Sequence, residues 1–190
     1  MNTDSILREF SANRLGGDPV PQDLRRLLPQ RDQLAERTGI ELSWAKDWAP
    51  WLDTSYLRPE ERADPAIAAN LRAMADVCSL IAFVAQEDDD QYFGYWRGRD
   101  KLPIAKCPLV FLDNEGQFNP CVASNFAECV LEYTSGEDRF NELRDWFRSL
   151  GITIPFNDEK ALLAREWPER SHEAKKLHDE LFARYLRESN

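Results

Sequence analysis

The stretch LIAFVAQEDDDQYFGYWRGRDKLPIAKCPLVFL, residues 80–112, contains three short runs of mostly apolar side chains. The runs cover residues 80–85, 92–97 and 108–112, and each is bounded by polar or turn-forming residues, which is typical of β-strands. Four acidic residues, 87–90, lie between the first two runs, so a hairpin with an acidic tip is the simplest connection. The sequence therefore predicts a small antiparallel sheet in the middle of the chain.

The side chains of the second run alternate in direction. Tyr92 and Trp96 are predicted on one face of the strand, and Phe93 and Tyr95 on the other. The third run has four consecutive apolar residues, 109–112, which indicates burial on both faces. A turn follows at residues 113–116, where Asp, Asn and Gly are typical.

Helical patterns lie on both sides of these strands. Asp64 followed by Pro65 is a good helix start, because Asp can cap the first turn and Pro suits the first helical position. Ser124 is the expected N-cap of a later helix. The order of helices, strands and helices favours an α+β fold, with a small antiparallel β-sheet packed by several α-helices in a single domain of residues 1–190. The helices expected to pack on the sheet are residues 65–77, 124–134 and 137–150.

The segments outside this centre give further predictions. The spacing of Trp44, Trp48 and Trp51 is that of one helix face, which either packs on the core or anchors an interface. Residues 152–156 form a connector or a short strand. Additional helices are predicted at residues 6–13, 23–38 with an interruption at Pro29, 158–167 and 171–187. The side chains expected in the core are Phe83, Phe111, Phe126 and Val130.

The composition limits the classes of partner. The chain has 190 residues and a formal net charge of -10. Nucleic acids and anionic membranes attract clusters of Lys and Arg, so this charge disfavours both, whereas a basic protein would be attracted. An acidic balance can also serve solubility alone. No secretory signal and no membrane-spanning run is evident, and the four cysteines form no C-x-x-C pair, so we expect a cytoplasmic protein with buried free thiols.

The motifs of common catalytic chemistry are missing from the sequence. His172 and His178 are six residues apart, whereas the HExxH pattern of zinc proteases needs a spacing of four. There is neither a glycine-rich phosphate loop nor a G-x-S-x-G elbow. We therefore predict no catalytic residue, no metal ligand and no cofactor. The alternative is a small hydrolase or a metal-dependent enzyme that uses the acidic loops at residues 87–90 and 113–115.

A longer pattern extends over about residues 65–135. A helix is followed by the apolar LIAFVA, the acidic EDDD, the aromatic YFGYW, the run PLVFLDNEG and the helix start VASNFAECV. This order resembles the SUKH superfamily, the Smi/Knr-type proteins. The resemblance implies a small antiparallel sheet among helices. For many bacterial members it also implies an immunity protein that binds and neutralises a toxin, often a nuclease, while other relatives are regulatory scaffolds.

An immunity protein must bind its toxin, and the acids at the strand ends suit that role because loops expose side chains on a rigid sheet. Charge complementarity would steer and select a basic toxin, and a buried aromatic ring would hold it. The alternative is that the acids only keep the sheet soluble and the rings only pack the core. The oligomeric state is left open. The predicted partner-binding residues are Glu87, Asp88, Asp89, Asp90, Tyr92, Trp96, Asp113 and Glu115.

Overall fold

The predicted strands are present in the computed structural model, which describes residues 2–134 and 136–189. Five strands form one antiparallel sheet in which the spatial order follows the sequence. The protein thus has an α+β fold, and the antiparallel pairing of the three central strands is confirmed. The strands are β1 Ile40–Leu42, β2 Ile81–Glu87, β3 Gln91–Trp96, β4 Leu109–Leu112 and β5 Phe118–Pro120.

The helices lie before and after the central strands. The three helices predicted to pack on the sheet are confirmed, and a 3-10 turn at Leu28–Gln30 interrupts the second segment at Pro29 as expected. The expectation of one domain stays a prediction, and three of its residues, Met1, Ser135 and Asn190, lie outside the described part. The helices are α1 Thr3–Arg14, α2 Gln22–Leu27, α3 Arg31–Thr38, α4 Pro59–Arg62, α5 Pro65–Cys78, α6 Phe126–Tyr133, α7 Glu137–Ser149, α8 Glu159–Leu163 and α9 Glu173–Glu188.

The sheet carries a hydrophobic core on each face. The first core lies between the sheet and helices α1, α2, α3, α6 and α7, and it includes Phe93 and Tyr95 of β3. The second core lies between the sheet and helices α5 and α9, and it includes Tyr92 and Trp96. The predicted alternation along β3 is therefore confirmed. Since both faces of the strand are covered, nearly every side chain of β3 is buried.

A β-bulge brings β2 and β3 unusually close. Phe83 pairs with Gly94 and Ala85 pairs with Phe93, so Val84 is an extra residue in β2. A Cβ atom on Gly94 would lie 2.6 Å from Ile81 Cγ2 and 2.9 Å from backbone atoms of both Ala82 and Phe83. Only glycine fits at this point of the sheet without displacement of the neighbouring strand.

We therefore predict that Gly94→Ala destabilises the fold. The added methyl group forces the two strands apart, and overpacking of this kind costs about 1–3 kcal/mol in the free energy of unfolding. Urea denaturation followed by circular dichroism measures the change. A loss below about 0.5 kcal/mol, the usual range of exposed substitutions, would show that the strands can separate freely.

The predicted tryptophan helix is wrong. After β1, Ser43 N still donates to Val84 O at 3.0 Å, so the chain continues along the edge of β2 in extended form. Only a 3-10 turn, Pro50–Leu52, follows, because proline cannot continue the hydrogen bonding of a helix. The rings consequently separate: Trp44 packs on the first core and the other two pack on the second.

Two smaller predictions also need correction. The N-cap of α6 is Asn125, whose side chain accepts from the Glu128 amide at 3.0 Å, and not Ser124. Phe111 is half-buried at the margin of the first core, whereas the other three predicted core residues are fully buried. Residues 152–156 form a connector, the first of the two predicted alternatives.

Carboxylates organise the loop that leads from β5 into α6. Glu128 Oε2 accepts from the amide and the hydroxyl of Ser124, both at 2.9 Å, and forms an ion pair with Arg165 at 3.0 Å. Glu132 accepts from the two preceding loop amides at 3.0 and 3.1 Å. Asp23 of α2 accepts from a first-turn amide of α6 at 3.1 Å. Burial raises the pKa of both Asp23 and Glu132, and these amides counteract that effect.

His178 of α9 is half-buried against the second core. Its ring lies 5.4 Å from Phe118 and stacks on Phe182 at 6.4 Å. Nε2 is buried and has no hydrogen-bond partner among the described residues, while Nδ1 lies 3.7 Å from Asp179 Oδ1. Burial is the main effect and lowers the pKa of this imidazole.

This burial makes stability depend on pH. The unfolded imidazole titrates near about 6.5, so the unfolded state takes up the proton first as pH falls, and stability is lost from about pH 6.5 downward. We predict that His178→Leu, which keeps the apolar packing, flattens the dependence of the unfolding free energy between about pH 7.5 and 5.5. The exposed His172→Gln variant is the control and keeps the wild-type slope. An unchanged slope in His178→Leu would refute the assignment.

Candidate partner-binding groove

The eight predicted binding residues fall into three separate places. Asp90, Tyr92, Asp113 and Glu115 line one groove on the side of the second core. Glu87, Asp88 and Asp89 lie outside that groove, towards the edge formed by β1. Trp96 lies at the other end of β3. The structure thus brings together four of the eight residues and separates the other four.

Trp96 is not available as an interface anchor. Its side chain is only 2% exposed, and Nε1 donates to Glu173 Oε2 at 2.9 Å. Helix α9 covers the ring. The sequence near residue 96 could not predict this contact, because the helix begins 77 positions later. The Trp96 ring is therefore buried and is not the exposed anchor that the sequence predicted.

The four acids of the hairpin tip, residues 87–90, do not lie on one surface, because the last of them faces the groove and the first three do not. Asp90 has a φ of 60°, in the left-handed region, which turns the chain so that its carboxylate faces the groove. Glu87 pairs with Ile40 of β1, and its Oε2 accepts from Asp89 N at 2.9 Å. Burial first, and then the charge of Glu87, raise the pKa of Tyr133 beside the first core. The first three acids therefore belong to a different surface from the fourth.

The groove has a volume of about 470 Å³ and lies between α5, the turn after β1 and the hairpin that joins β4 to β5. Its floor is apolar and its rim is acidic. Asp53 and Tyr56 belong to it but were not predicted as site residues. Signals for them exist in hindsight: an Asp-x-Ser turn and a tyrosine in a polar loop, left 70% exposed by the fold. The floor consists of Trp51, Leu71, Met74, Tyr92 and Leu112, and the rim of Pro50, Asp53, Tyr56, Asn70, Asp90, Asp113, Asn114, Glu115 and Gly116.

Two aromatic rings fix the shape of the floor. The rings of Trp51 and Tyr92 meet edge to face, with centroids 5.5 Å apart and planes at 72°. Trp51 also packs on Phe83 at 4.2 Å and on Trp48 at 5.2 Å. These contacts hold the indole rigidly against the sheet while it stays half-buried. The groove therefore presents a preformed aromatic surface.

The rim carboxylates lack cationic partners. None of the groove-lining residues is Lys, Arg or His. Within the described ranges, none of the four rim acids, Asp53, Asp90, Asp113 and Glu115, forms an ion pair. The charge of Arg62 acts on Asp53, but its guanidinium donates to the Thr54 and Ser55 carbonyls instead. Hydrogen bonds from Ser55 hold the pKa of Asp53 below its ordinary value, so this carboxylate is charged at neutral pH.

Each rim acid has a different local role. Asp113 organises the hairpin, since Oδ1 accepts from the amides of Glu115 and Gln117 and Oδ2 accepts from Asn119. Glu115 accepts only from the Gln117 side chain, at 2.8 Å. Asp90 Oδ1 accepts from the Tyr92 hydroxyl at 3.3 Å. Asp113 is thus engaged in structure, whereas the exposed carboxylates of the other acids can take up a guest.

The pKa of Tyr92, on the floor, responds to the acids of the groove. Burial, followed by the charge of Asp90, raises the pKa of Tyr92 to about 12. Asp53 contributes in the same direction. Carboxylates on both sides of the groove therefore act on one ring. In the described part of the chain, no group of three or more His, Cys, Asp and Glu side chains is arranged to hold a metal ion.

Comparison with known proteins adds no relative. The chain matches no model of a protein family, and neither a curated protein nor a solved structure is found to be similar to it. None of the helices in the described residues is both long enough and apolar enough to cross a membrane. The function therefore has to be argued from the groove.

We predict that the groove favours cationic over anionic solutes. Caesium should quench tryptophan fluorescence more than iodide does, since fixed negative charge concentrates cations nearby. The excess should shrink in Trp51→Phe, which removes the groove fluorophore, and in the double variant Asp90→Asn/Glu115→Gln. The matched control Asp88→Asn/Asp89→Asn changes the net charge equally but outside the groove. Equal shrinkage in both double variants would mean that only the total charge matters.

Proposed function

We propose that the protein is a non-enzymatic binding protein, an immunity protein that binds and neutralises a cognate bacterial toxin, with the groove as part of the interface. The observation that carries the proposal is the combination of a rigid aromatic floor and a rim of carboxylates without internal ion-pair partners. Binding sites commonly join an apolar floor to a few fixed polar groups. Interfaces draw most of their energy from buried rings such as Trp and Tyr.

The charge of the protein supports a basic partner. The net charge of -10 attracts a cationic protein over distance, and the rim acids supply the local complement to its Lys or Arg side chains. A nuclease toxin would have this character, because a nucleic-acid site needs positive charge. The resemblance to the SUKH superfamily over residues 65–135 points to the same role. A cytoplasmic location, where a toxin made by the same cell would act, completes the proposal.

The test searches the neighbouring genes for a secreted toxin and measures its binding to the wild-type protein and to the two matched double variants. We expect the wild-type protein to capture the toxin in one stoichiometric complex. In Asp90→Asn/Glu115→Gln, the association rate at low salt should fall on the order of fivefold, and the difference should disappear at high salt because rim charges act mainly on encounter. Asp88→Asn/Asp89→Asn should associate at nearly the wild-type rate. Surface plasmon resonance at several ionic strengths measures both.

Three results would contradict the proposal. Equal association of all three proteins at low salt, with circular dichroism showing intact folds, would remove the groove acids from the interface. A pulldown that recovers many basic proteins weakly and no stoichiometric partner would favour a regulatory scaffold. Capture of a toxin whose activity is unaffected by the complex would leave binding without neutralisation, which also contradicts an immunity role.

A further inference from the structure

We infer that the groove is a receptor for one arginine side chain of the partner, with the guanidinium against the half-buried Trp51 ring and between the rim carboxylates. This inference rests on the proposed function, because it names the group that the toxin would insert. It goes further by choosing arginine over lysine and over an uncharged apolar side chain.

The protein already stacks its own arginines on several of its aromatic rings. Arg14 lies over Trp48, Arg31 over Trp44 and Arg37 over Trp146, with the guanidinium carbon 5.1–5.3 Å from the ring centroid. Two more arginines cover the Tyr185 ring at 3.8 and 4.5 Å. Across the described residues, neither Trp51 nor Tyr92 has such a partner. Trp51 is half-buried, so the groove floor offers one ring that no internal cation covers.

The rim supplies the second half of an arginine site. Asp53, Asp90 and Glu115 are exposed carboxylates on different sides of the same aromatic floor. A guanidinium is planar and carries five N–H donors in a fixed fork, so it can lie on a ring while its edges donate to carboxylates. The ammonium of lysine is compact and more strongly hydrated, and it has no flat face to place on an indole. The shape of the groove thus favours arginine.

The dimensions and the exposed ring at the mouth agree with this guest. A groove of about 470 Å³ has room for a long side chain together with the backbone that bears it. Tyr56 stands 70% exposed on the rim, beside the Asp53 carboxylate in sequence. An arginine on the floor would bring its methylene chain against the apolar side chains Leu71 and Met74. Burial of the stem and pairing of the head group would then act together.

The experiment titrates three blocked tripeptides into the full chain: acetyl-Gly-Arg-Gly-amide, the Lys analogue and the citrulline analogue, which has the shape of arginine without its charge. Indole and backbone N–H signals are followed by NMR, and Trp51→Phe identifies the Trp51 indole. We expect the Arg peptide to shift the Trp51 signal with a Kd on the order of 1 mM, the affinity of about -4 kcal/mol that a single paired side chain can give. The Lys peptide should bind at least about threefold more weakly, and the citrulline peptide should give no saturable shift.

The matched variants locate the site. Asp90→Asn/Glu115→Gln should weaken the Arg peptide about tenfold, the effect of losing about 1.4 kcal/mol, and Asp88→Asn/Asp89→Asn should leave its affinity unchanged. Equal affinities of the Arg and Lys peptides would overturn the choice of guanidinium. Citrulline binding as tightly as arginine would overturn the role of the charge. Absence of a Trp51 shift at the highest Arg concentration, or equal loss in both double variants, would overturn the site.

Failure here is distinct from failure of the proposed function. If the Arg peptide binds the groove but the toxin associates equally with all variants, the arginine site stands and the proposed interface does not. If the toxin needs the groove acids while no peptide shifts Trp51, the interface stands and the arginine assignment is lost.

Discussion

The antiparallel pairing of β2 with β3 is the constraint on which the rest of the structure depends. Both strands bury side chains on both faces, so the sheet is stable only if each face is covered. Helices α6 and α7 with the N-terminal helices cover one face, and α5 with α9 covers the other. The bulge at Val84 and the bare backbone of Gly94 hold the two strands in close contact. Every layer of the molecule is therefore placed by this pair.

The groove is a consequence of incomplete cover on the second face. Helix α5 packs against α9 and buries Ala69 and Ala73 in the second core, while its larger apolar side chains Leu71 and Met74 line the groove. The irregular chain after β1 returns across that side and lays Trp51 on Phe83. The cleft left between these elements is floored by core side chains, and hence it is both apolar and rigid. The groove is therefore formed entirely by elements that also build the core.

The sequence was sufficient to predict the central strands and the helices around them because these elements carry long, regular patterns. The edge strands β1 and β5 have three residues each, too few to show alternation, and neither was predicted. The spacing of Trp48 and Trp51 suggested a helix, whereas the chain makes a turn at residues 46–47 and Pro50 starts only a 3-10 turn. Trp96 and Tyr92 were equivalent in sequence, and only the distant helix α9 distinguishes them. The run of four acids likewise did not indicate that Asp90 would adopt a left-handed φ and face a different side from the other three.

The unpaired acids of the groove contrast with the paired charges on the surface near α9. On the surface near α9, Arg170 is neutralised by Asp100 and Glu173, and Lys175 by Asp179, so that surface is largely balanced from within. At the groove, by contrast, the carboxylates around the aromatic floor have no cation within ion-pair distance in the described ranges. On the proposed function, a cationic side chain of the partner would supply the missing counter-charge and cover the Trp51 ring in one step, a role that solubility alone does not require.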